Sequence, residues 1–465
     1  MSRDTIRLNR NWSGARVAVV GLARSGVAAC RFLKKRGASV VGTDRLSADQ
    51  LGGAVEDLQN AGVDVSAGTY PNLAEFDAIV LSPGVDPFQD MIVDARAKGV
   101  RILPEMELGA NEVAGRLVCI TGTKGKSTTT MSLHAMLREA GLDARAVGNI
   151  GEPITAHVDG SDERSIFVTE ASSFQLETTQ EFRPDCAVFL NLFPDHLDRH
   201  PTFESYAAAK ARIFVNQTPE DTAIINGEDH AVRDLATCTR AEVIPFRPRT
   251  AADAGATGRV AYFTNGEAIF RNTSTTTLFS GTDVQIPGSA VRANLLAAAT
   301  AAHHLGVSGN AIRQAVRKFR GVPHTFEKLG EASGVAFFND SKATTLESVR
   351  VALESFDSPV IAIMGGRLKA GSFRSLREAV SGRVRSIFAI GESRGLIREA
   401  LSDLSPVHES DNLEDAVLRA HREAKPGDTI LLSPGCASFD MFRDYAERGE
   451  VFRRAFRRLS LKGAA

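Results

Sequence analysis

Short, uniformly apolar runs recur along the chain: Val17–Val20, Ser39–Val41, Ala78–Leu81, Leu117–Ile120, Ile166–Thr169, Cys186–Leu190, Thr222–Ile225, Val335–Phe338, Val360–Met364, Ser386–Ile390 and Thr429–Leu432. They are aliphatic or β-branched nearly throughout and lack polar alternation, so each reads as a strand buried on both faces of a parallel sheet. Helical stretches lie between them, among them Gly26–Arg36, Thr128–Ala140, Ser205–Phe214 and Leu346–Glu354. Strand–helix alternation from end to end predicts a layered α/β protein.

A chain of 465 residues has room for three domains. One boundary is expected at Leu103-Pro104-Glu105, ahead of the strand that enters a glycine loop. A second falls at Arg320-Gly321-Val322-Pro323, before a fresh series of strands. The expected division is therefore 1–103, 104–320 and 321–465. Arg247–Gly258 and the threonine-rich Asn272–Thr277 read as loops or hairpin connections inside the middle domain. No repeat of fixed period is present.

Composition narrows the class. Hydrophobic residues at 43% and charged residues at 24% exclude wholesale disorder. A net charge of -1 supplies no field to recruit nucleic acid or an anionic membrane. Cys30, Cys119, Cys186, Cys238 and Cys436 are scattered without a C-x-x-C pair, which argues against a disulfide framework and fits a reducing compartment. Met1–Trp12 carries charge but no apolar stretch, and no run approaches the ~20 residues of a membrane helix. The expectation is a soluble cytoplasmic protein with no membrane insertion.

The strongest chemical signal is the segment from Leu117 through Thr121-Gly122-Thr123-Lys124-Gly125-Lys126-Ser127-Thr128. A strand runs into Gly122, the loop turns at Gly125, and Lys126 opens a helix. Glycines let backbone N–H groups wrap an anion, and the helix start adds its dipole. Lys126 would neutralise the β- and γ-phosphates of a nucleoside triphosphate, and the Ser127 hydroxyl would ligate Mg²⁺. The spacing is shorter than the standard G-x-x-x-x-G-K-[ST], because position 120 is Ile.

Two further motifs follow buried-strand patterns: Thr169-Glu170-Ala-Ser-Ser-Phe-Gln-Leu-Glu177 and Asn191-Leu-Phe-Pro-Asp-His-Leu-Asp-Arg-His200. That places Glu170 and Asp195-His196 at strand C-terminal ends, the ligand edge of open α/β sheets. They suit Mg²⁺ ligation or phosphate positioning. His196 and His200, four apart, lack the third ligand a zinc site needs; His200 reads more naturally as a surface histidine.

Near the N-terminus, Val17-Ala-Val-Val-Gly21-Leu22-Ala23-Arg24-Ser-Gly26 is a strand–turn–helix like G-x-G-x-x-G with alanine at its centre, and Asp44 ends the next strand. Ser82-Pro83-Gly84 follows what reads as a third strand. Three more polar clusters close strands downstream: Asn339-Asp340-Ser-Lys342-Ala-Thr344, Ile363-Met-Gly-Gly-Arg-Leu-Lys369 and Ser433-Pro-Gly-Cys-Ala-Ser438-Phe439. They mark a binding edge without a second phosphate loop.

Taken in order, Gly-Thr-Lys-Gly-Lys-Ser-Thr, Glu-Ala-Ser-Ser-Phe-Gln-Leu-Glu, Asp-His-Leu-Asp-Arg-His, Asn-Asp-Ser-Lys-Ala-Thr and Leu-Ser-Pro-Gly-Cys-Ala-Ser make the chain resemble the Mur ligases over essentially its whole length, and their D-glutamate-adding branch in particular. The resemblance implies an N-terminal Rossmann-like domain for a UDP-sugar, a central P-loop ATPase-like domain with a mostly parallel sheet, and a C-terminal Rossmann-like domain for the amino acid. It implies ATP-dependent joining of D-glutamate to UDP-N-acetylmuramoyl-L-alanine through an acyl phosphate, by a monomer.

At matching positions the resemblance also implies roles. Gly122–Thr128, Asn294 and Asp340 would bind ATP, Asp340 on the ribose side. Ser127 and Glu170 would hold one Mg²⁺; His196 and a Lys210 carbamylated by CO₂ would hold the second. Lys126, Glu170, His196 and Lys210 form the catalytic set. On its residues alone, Lys210 is an ordinary helix lysine, usually a solvated one. Gly21, Leu22, Ala23 and Arg24 would lie by the diphosphate, Asp44 by the uracil, Ser82–Gly84 along the same cleft, and Asn149, Ser172 and Gln175 toward the muramoyl part. Lys342, Thr344, Lys369, Ser438, Phe439 and Tyr445 would receive D-glutamate.

Three departures stand out. Gly288-Ser-Ala290-Val291-Arg-Ala-Asn294 keeps only Asn294 of the family's adenine-side amides. Thr325 replaces an arginine after Pro323-His324, and Ser372 replaces an aspartate in Lys369-Ala-Gly-Ser-Phe373. The alternatives are a Mur-type or folylpolyglutamate-synthetase-like ligase for another amino acid, a nicotinamide oxidoreductase that would leave Gly122–Thr128 and Glu170 without a purpose, and a non-catalytic nucleotide-binding homologue.

Overall fold

The computed structural model describes residues 12–197, 199–249 and 258–462. Most of Met1–Trp12 and of the Arg247–Gly258 loop therefore lies outside the described residues. The chain divides into two compact units, Met1–Gly281 with Ala293–Ala315, and Thr282–Arg292 with Val316–Ala465.

The first unit holds two sheets. Its N-terminal sheet has five parallel strands, β1 (Arg16–Val20), β2 (Ser39–Asp44), β3 (Asp64–Ala67), β4 (Ala78–Leu81) and β5 (Arg101–Pro104), in the order β3-β2-β1-β4-β5. Side chains alternate between two cores: Val17, Val19, Val40 and Val80 face one, Ala18, Val20, Ile79 and Leu81 the other. That is why these strands read as unbroken apolar runs. The order reverses at β1, flanked by β2 and β4, which opens a crevice at their C-terminal ends.

The second sheet has nine strands: β6 (Arg116–Thr121), β7 (Ala144–Gly148), β8 (Ile166–Glu170), β9 (Cys186–Phe189), β10 (Thr222–Asn226), β11 (Glu242–Arg247), β12 (Val260–Thr264), β13 (Glu267–Arg271) and β14 (Thr275–Ser280). Their order is β14-β13-β12-β11-β10-β9-β6-β8-β7. It is parallel from β12 to β7 and antiparallel across β12-β13-β14. With β6 seated between β9 and β8, the loops after all three strands share one edge. The helices used below are α1 (Arg24–Lys35), α2 (Glu105–Ala110), α3 (Lys126–Glu139), α4 (Ser173–Leu176), α5 (Phe203–Val215), α6 (Ser289–His304) and α7 (Tyr445–Lys462). Helix α2 links the two sheets and is buried throughout. The Glu105 carboxylate accepts the Thr155 amide (2.9 Å) and hydroxyl (2.7 Å), and burial raises its pKa.

The second unit holds one sheet, β15 (Glu327–Ala332), β16 (Val335–Asn339), β17 (Val360–Gly365), β18 (Val384–Ile390), β19 (Val407–Glu409) and β20 (Thr429–Leu432), ordered β15-β16-β20-β17-β18-β19. Only β15 runs antiparallel. Again two cores share the strands: Ala362, Met364 and Leu431 on one face, Ile361, Ile363 and Ile430 on the other.

Every apolar run named from sequence is a strand. The strands without such a signal, β3, β5, β7, β12–β15 and β19, lie at sheet edges or in the antiparallel extensions, where polar positions interrupt the pattern; β11, inside the parallel part, is broken by the exposed Glu242 and by Pro245. Ser82–Gly84 consequently follows the fourth strand, not the third. Asn272–Thr277 is only partly a connection: the tip is 272–274, and Thr275–Thr277 already pairs with β13. Among the described residues no helix is long and apolar enough to cross a membrane.

Candidate active site

The segment after β6 forms an anion cradle. Gly122 and Gly125 adopt positive φ (151° and 88°), and a Cβ on Gly125 would stand 2.3 Å from Asn294 Oδ1. Only glycine fits both constraints. Helix α3 then begins at Lys126 with no side-chain cap, so its first amides and dipole are offered to an anion. Asn191, after β9, braces the loop on two sides. Its carbonyl accepts the Thr123 amide (3.0 Å); its side chain accepts the Lys124 amide (2.9 Å) and donates to the Lys124 carbonyl (3.0 Å). The Thr123 hydroxyl accepts from the Phe193 amide (3.1 Å) and from the Tyr206 hydroxyl (3.2 Å). The amides of Thr123 and Lys124 therefore serve the fold, whereas those at the uncapped start of α3 are the ones offered to phosphate oxygens. Lys126 Nζ donates to the carbonyls of Gly122 (2.9 Å) and Thr123 (3.0 Å).

Glu170, at the end of β8, is 1% exposed. Its Oε1 accepts from the Asn149 side-chain Nδ2 at 2.7 Å, whereas Oε2 is buried with no hydrogen-bond partner. A buried bare carboxylate oxygen is costly unless a cation completes it. Lys210, on α5, is also 1% exposed, which overturns the solvated-lysine reading. Its Nζ donates to the Gly122 carbonyl (2.9 Å) and the Thr121 hydroxyl (3.3 Å), and lies 5.0 Å from the Tyr206 ring centre. Burial first, then the charge of Lys126, drives its pKa well below that of an ordinary lysine; Asp195 and Glu170 pull the other way. Burial thus favours the uncharged amine over the ammonium.

His196 is exposed, at φ 53°, with its ring edge-on to Phe174 (5.1 Å between centres) and 6.5 Å from Tyr206. His200 is not a surface histidine: it is 4% exposed, pairs with the Ser173 hydroxyl (3.0 Å) and packs on Tyr206 and Phe174. Among the described residues no three His, Cys, Asp or Glu side chains gather as a metal site. A divalent ion here would need Ser127 or a modified Lys210 to complete its shell. Tyr206, Asn191 and Phe174 have bracing roles that the sequence does not announce: Asn191 and Phe174 are members of the two motifs, and Tyr206 lies outside both, four residues before Lys210.

At the crevice of the N-terminal sheet, Gly21, Ala23, Asp44, Ser82, Pro83 and Gly84 line a cavity of about 310 Å³ together with Tyr70 and Val85. Gly21 turns at φ 90°, and a Cβ on Gly26 would sit 1.8 Å from the Gly21 carbonyl oxygen. The Ser82 hydroxyl donates to that carbonyl at 2.6 Å. Asp44 stabilises the turn: Oδ2 accepts the Leu22 amide (2.7 Å) and Oδ1 the Leu46 amide (3.0 Å). Leu22 is buried behind the turn. Arg24 is not in this cavity; it donates to the Gly151 carbonyl (3.0 Å) and lines a separate cleft with Arg31 and Lys35. Ser172 and Gln175 engage one another in a capping box on α4, and Gln175 is buried. Asn149 faces Glu170.

The second unit gathers its residues at one sheet edge. Lys369 Nζ lies 3.5 Å from the Thr344 hydroxyl, and Lys342 Nζ lies 6.0 Å from the Tyr445 ring centre. Both lysines are exposed, Phe439 is 66% exposed and Ser438 is buried. Asp340 is buried: its oxygens accept the Phe326 amide (3.1 Å) and the Ser433 hydroxyl (3.0 Å), and burial pushes its pKa up to about 7. Arg448, on α7, was not flagged by sequence. Fully buried, it donates to the Ser341 hydroxyl (3.0 Å) and to the carbonyls of Ser341 (2.8 Å) and Cys436 (3.1 Å), tying two of the loops together. Ser372 caps the short helix Phe373–Leu376, a task aspartate performs equally well.

Comparison with known proteins supplies the deciding observation. Three family models match consecutive parts of the chain: a MurD-like N-terminal domain of Mur ligases over residues 15–104, the Mur ligase middle domain over 120–302, and the Mur ligase glutamate ligase domain over 326–436. A protein of Acidobacterium capsulatum, named UDP-N-acetylmuramoylalanine--D-glutamate ligase, is 41% identical over 95% of each chain. A Pelotomaculum thermopropionicum protein of the same name is 38% identical over 97% of this chain and 99% of its own. The chain belongs to the Mur ligase family. Solved Mur ligases share its fold. The MurF ligase of Thermotoga maritima, crystallised with ADP, has a TM-score of 0.58 at 18% identity, covering 91% of this chain and 95% of its own. The UDP-N-acetylmuramate-alanine ligase of that organism has a TM-score of 0.57 at 16% identity, covering 96% and 99%. As in other Mur ligases, ATP and Mg²⁺ serve the reaction, and the residues here fit them: an uncapped helix start for phosphate and a bare buried carboxylate oxygen for a cation.

Proposed function

We propose that this Mur ligase joins D-glutamate to UDP-N-acetylmuramoyl-L-alanine at the expense of ATP, in cytoplasmic peptidoglycan precursor synthesis, and acts as a monomer. The names of the most similar relatives support the substrate pair. Residues 1–103 would take the sugar nucleotide, 104–320 the ATP and 321–465 the amino acid.

The observation that carries the reading is the buried pair of Glu170 Oε2 and the Lys210 amine beside the phosphate loop. A neutral amine adds CO₂, losing one proton, and becomes a carbamate. The side chain gains one negative charge, and two hard oxygens appear where the loop needs them. Ser127 and Glu170 would hold one Mg²⁺, and His196 with carbamylated Lys210 the second. These ions neutralise the phosphates so that a carboxylate can approach them. Lys126 swings from the loop carbonyls to the β- and γ-phosphates, and the amides of Ser127 and Thr128 hold the oxygens. The L-alanyl carboxylate oxygen then bonds to the γ-phosphorus as ADP departs. The D-glutamate amine attacks the acyl carbon, phosphate leaves with the bonding pair of the broken C–O bond, and one proton is released. Lys342 and Lys369 meet the two carboxylates of the amino acid; Asn294, beside Gly125, lies on the nucleotide side.

The test is phosphate release with UDP-N-acetylmuramoyl-L-alanine, ATP and a panel of D- and L-amino acids. Release with D-glutamate alone is expected. Release with another amino acid instead would move the protein to a different Mur specificity, and no amino-acid-dependent release would make it a non-catalytic homologue.

A further inference from the structure

Three residues after His196, Arg199 makes contacts the proposed reaction does not require. Its Nη2 donates to Glu177 Oε1 (2.5 Å) at the end of the α4 segment and to the backbone carbonyl of Val85 (3.0 Å). Val85 lines the N-terminal cavity, 114 residues away in sequence. Both charged side chains are shielded, Arg199 at 17% exposure and Glu177 at 8%, so this is not a solvated surface pair of negligible strength. The guanidinium carbon also stands 5.2 Å from the Phe174 ring centre, and the same ring meets the His196 imidazole edge-on at 5.1 Å. Backbone ties reinforce the chain of contacts: the amides of Arg199 and His200 both donate to the His196 carbonyl, at 3.1 and 3.0 Å, which fixes the turn that His196 enters at φ 53°.

The result is a continuous path from the cavity wall to the imidazole: Val85 carbonyl, Arg199, Phe174, His196. A planar guanidinium can donate two ways in its plane while presenting its face to a ring, which a lysine ammonium cannot do. We propose that Arg199 is a positioning residue that couples occupancy of the sugar-nucleotide cavity to the placement of His196. A ligand that orders the Val85 rim orders Arg199, the Phe174 ring and hence the imidazole. The inference rests on the assignment of that cavity to the UDP-sugar under the proposed function.

The experiment reads His196 directly, without metal or turnover. UDP-N-acetylmuramoyl-L-alanine is titrated into the full-length protein with neither Mg²⁺ nor ATP, and the His196 imidazole C–H signal is followed by NMR, assigned by its loss in His196→Gln. In the wild type the signal should move to a saturating value; in Arg199→Ala it should stay in place, with Arg199→Lys intermediate. In turnover assays the Ala variant should need about tenfold more Mg²⁺ for half-maximal rate, the KM for D-glutamate being unchanged. A signal that moves equally in wild type and Arg199→Ala would reveal direct contact between ligand and imidazole and overturn the coupling. An unmoved wild-type signal in a protein that makes product would overturn it too while leaving the proposed function standing; this arm holds even where a variant does not fold. Wild-type protein without D-glutamate-dependent phosphate release would overturn the function, and the coupling with it.

Discussion

The phosphate-loop edge and the C-terminal sheet edge carry similar residues in opposite settings. Around Gly122, Lys210 and Glu170 are each 1% exposed, Lys126 is half-buried, and the three are fixed by backbone carbonyls and an asparagine. On the β16/β17/β20 edge, Lys342 and Lys369 stand in solvent beside an open Phe439, and the buried members, Asp340, Ser341 and Arg448, bond only to the fold. The contrast separates two tasks. Neutralising a phosphate while a carboxylate approaches needs charge that is desolvated and oriented beforehand. Capturing a small, highly charged amino acid from water needs accessible cations and little else.

Substitution should expose this asymmetry, with the largest losses at the interior site. Lys126→Ala should lower kcat by about 10²–10³, the scale for removing one preorganised charge partner, while the sugar nucleotide still binds by calorimetry; unchanged turnover would show that the cradle is not used. Lys210→Ala should be similarly impaired and recover in part with added short-chain carboxylic acids, which restore oxygens to the vacated space. Full activity without rescue would remove carbamylation from the account.

At the open edge the effect should be smaller and confined to one substrate. Lys369→Ala should raise the KM for D-glutamate about 10- to 100-fold, the equivalent of one charge-assisted hydrogen bond, with the KM for ATP held. Equal changes in both constants would mean that the two edges are not divided as described. The smallest effect belongs to Asp340, read through stability. Its folded pKa of about 7 lies above the unfolded value near 3.8, so its contribution to stability is full below pH ~4 and fades as pH rises through 7. Asp340→Asn, which keeps an acceptor for the Phe326 amide, should flatten that part of the stability–pH curve, so that the variant's advantage over the wild type grows from pH 4 to pH 8. An unaltered slope in chemical denaturation would show that Asp340 titrates normally.

Much of this was legible in the sequence, for a physical reason. Strands covered on both faces have no polar positions to blur them, so β1, β4, β6, β8–β10, β16–β18 and β20 announce themselves, whereas β3 or β19 at an edge does not. The same applies to the site. Gly122–Thr128 is a local device, and local devices show as motifs. Residues that work by distant burial stay silent: nothing around Lys210 says that α5 faces the Gly122 carbonyl, and nothing near Tyr445 says that Arg448 ties two loops. His200 was misjudged for the same reason, since its partner Ser173 is 27 residues away. Arg24 is a further case: the family resemblance implies a place by the diphosphate, while its side chain reaches the Gly151 carbonyl, 127 residues away.

The double grip of Asn191 on Lys124 has a kinetic corollary. A loop whose shape is held by its own hydrogen bonds gives up little freedom when its guest arrives, so capture and release of the nucleotide should both be quick. Loosening that grip, for instance with Asn191→Ala, would make the protein wait for its own backbone on every cycle, and the delay would be felt even where each chemical group remained in place.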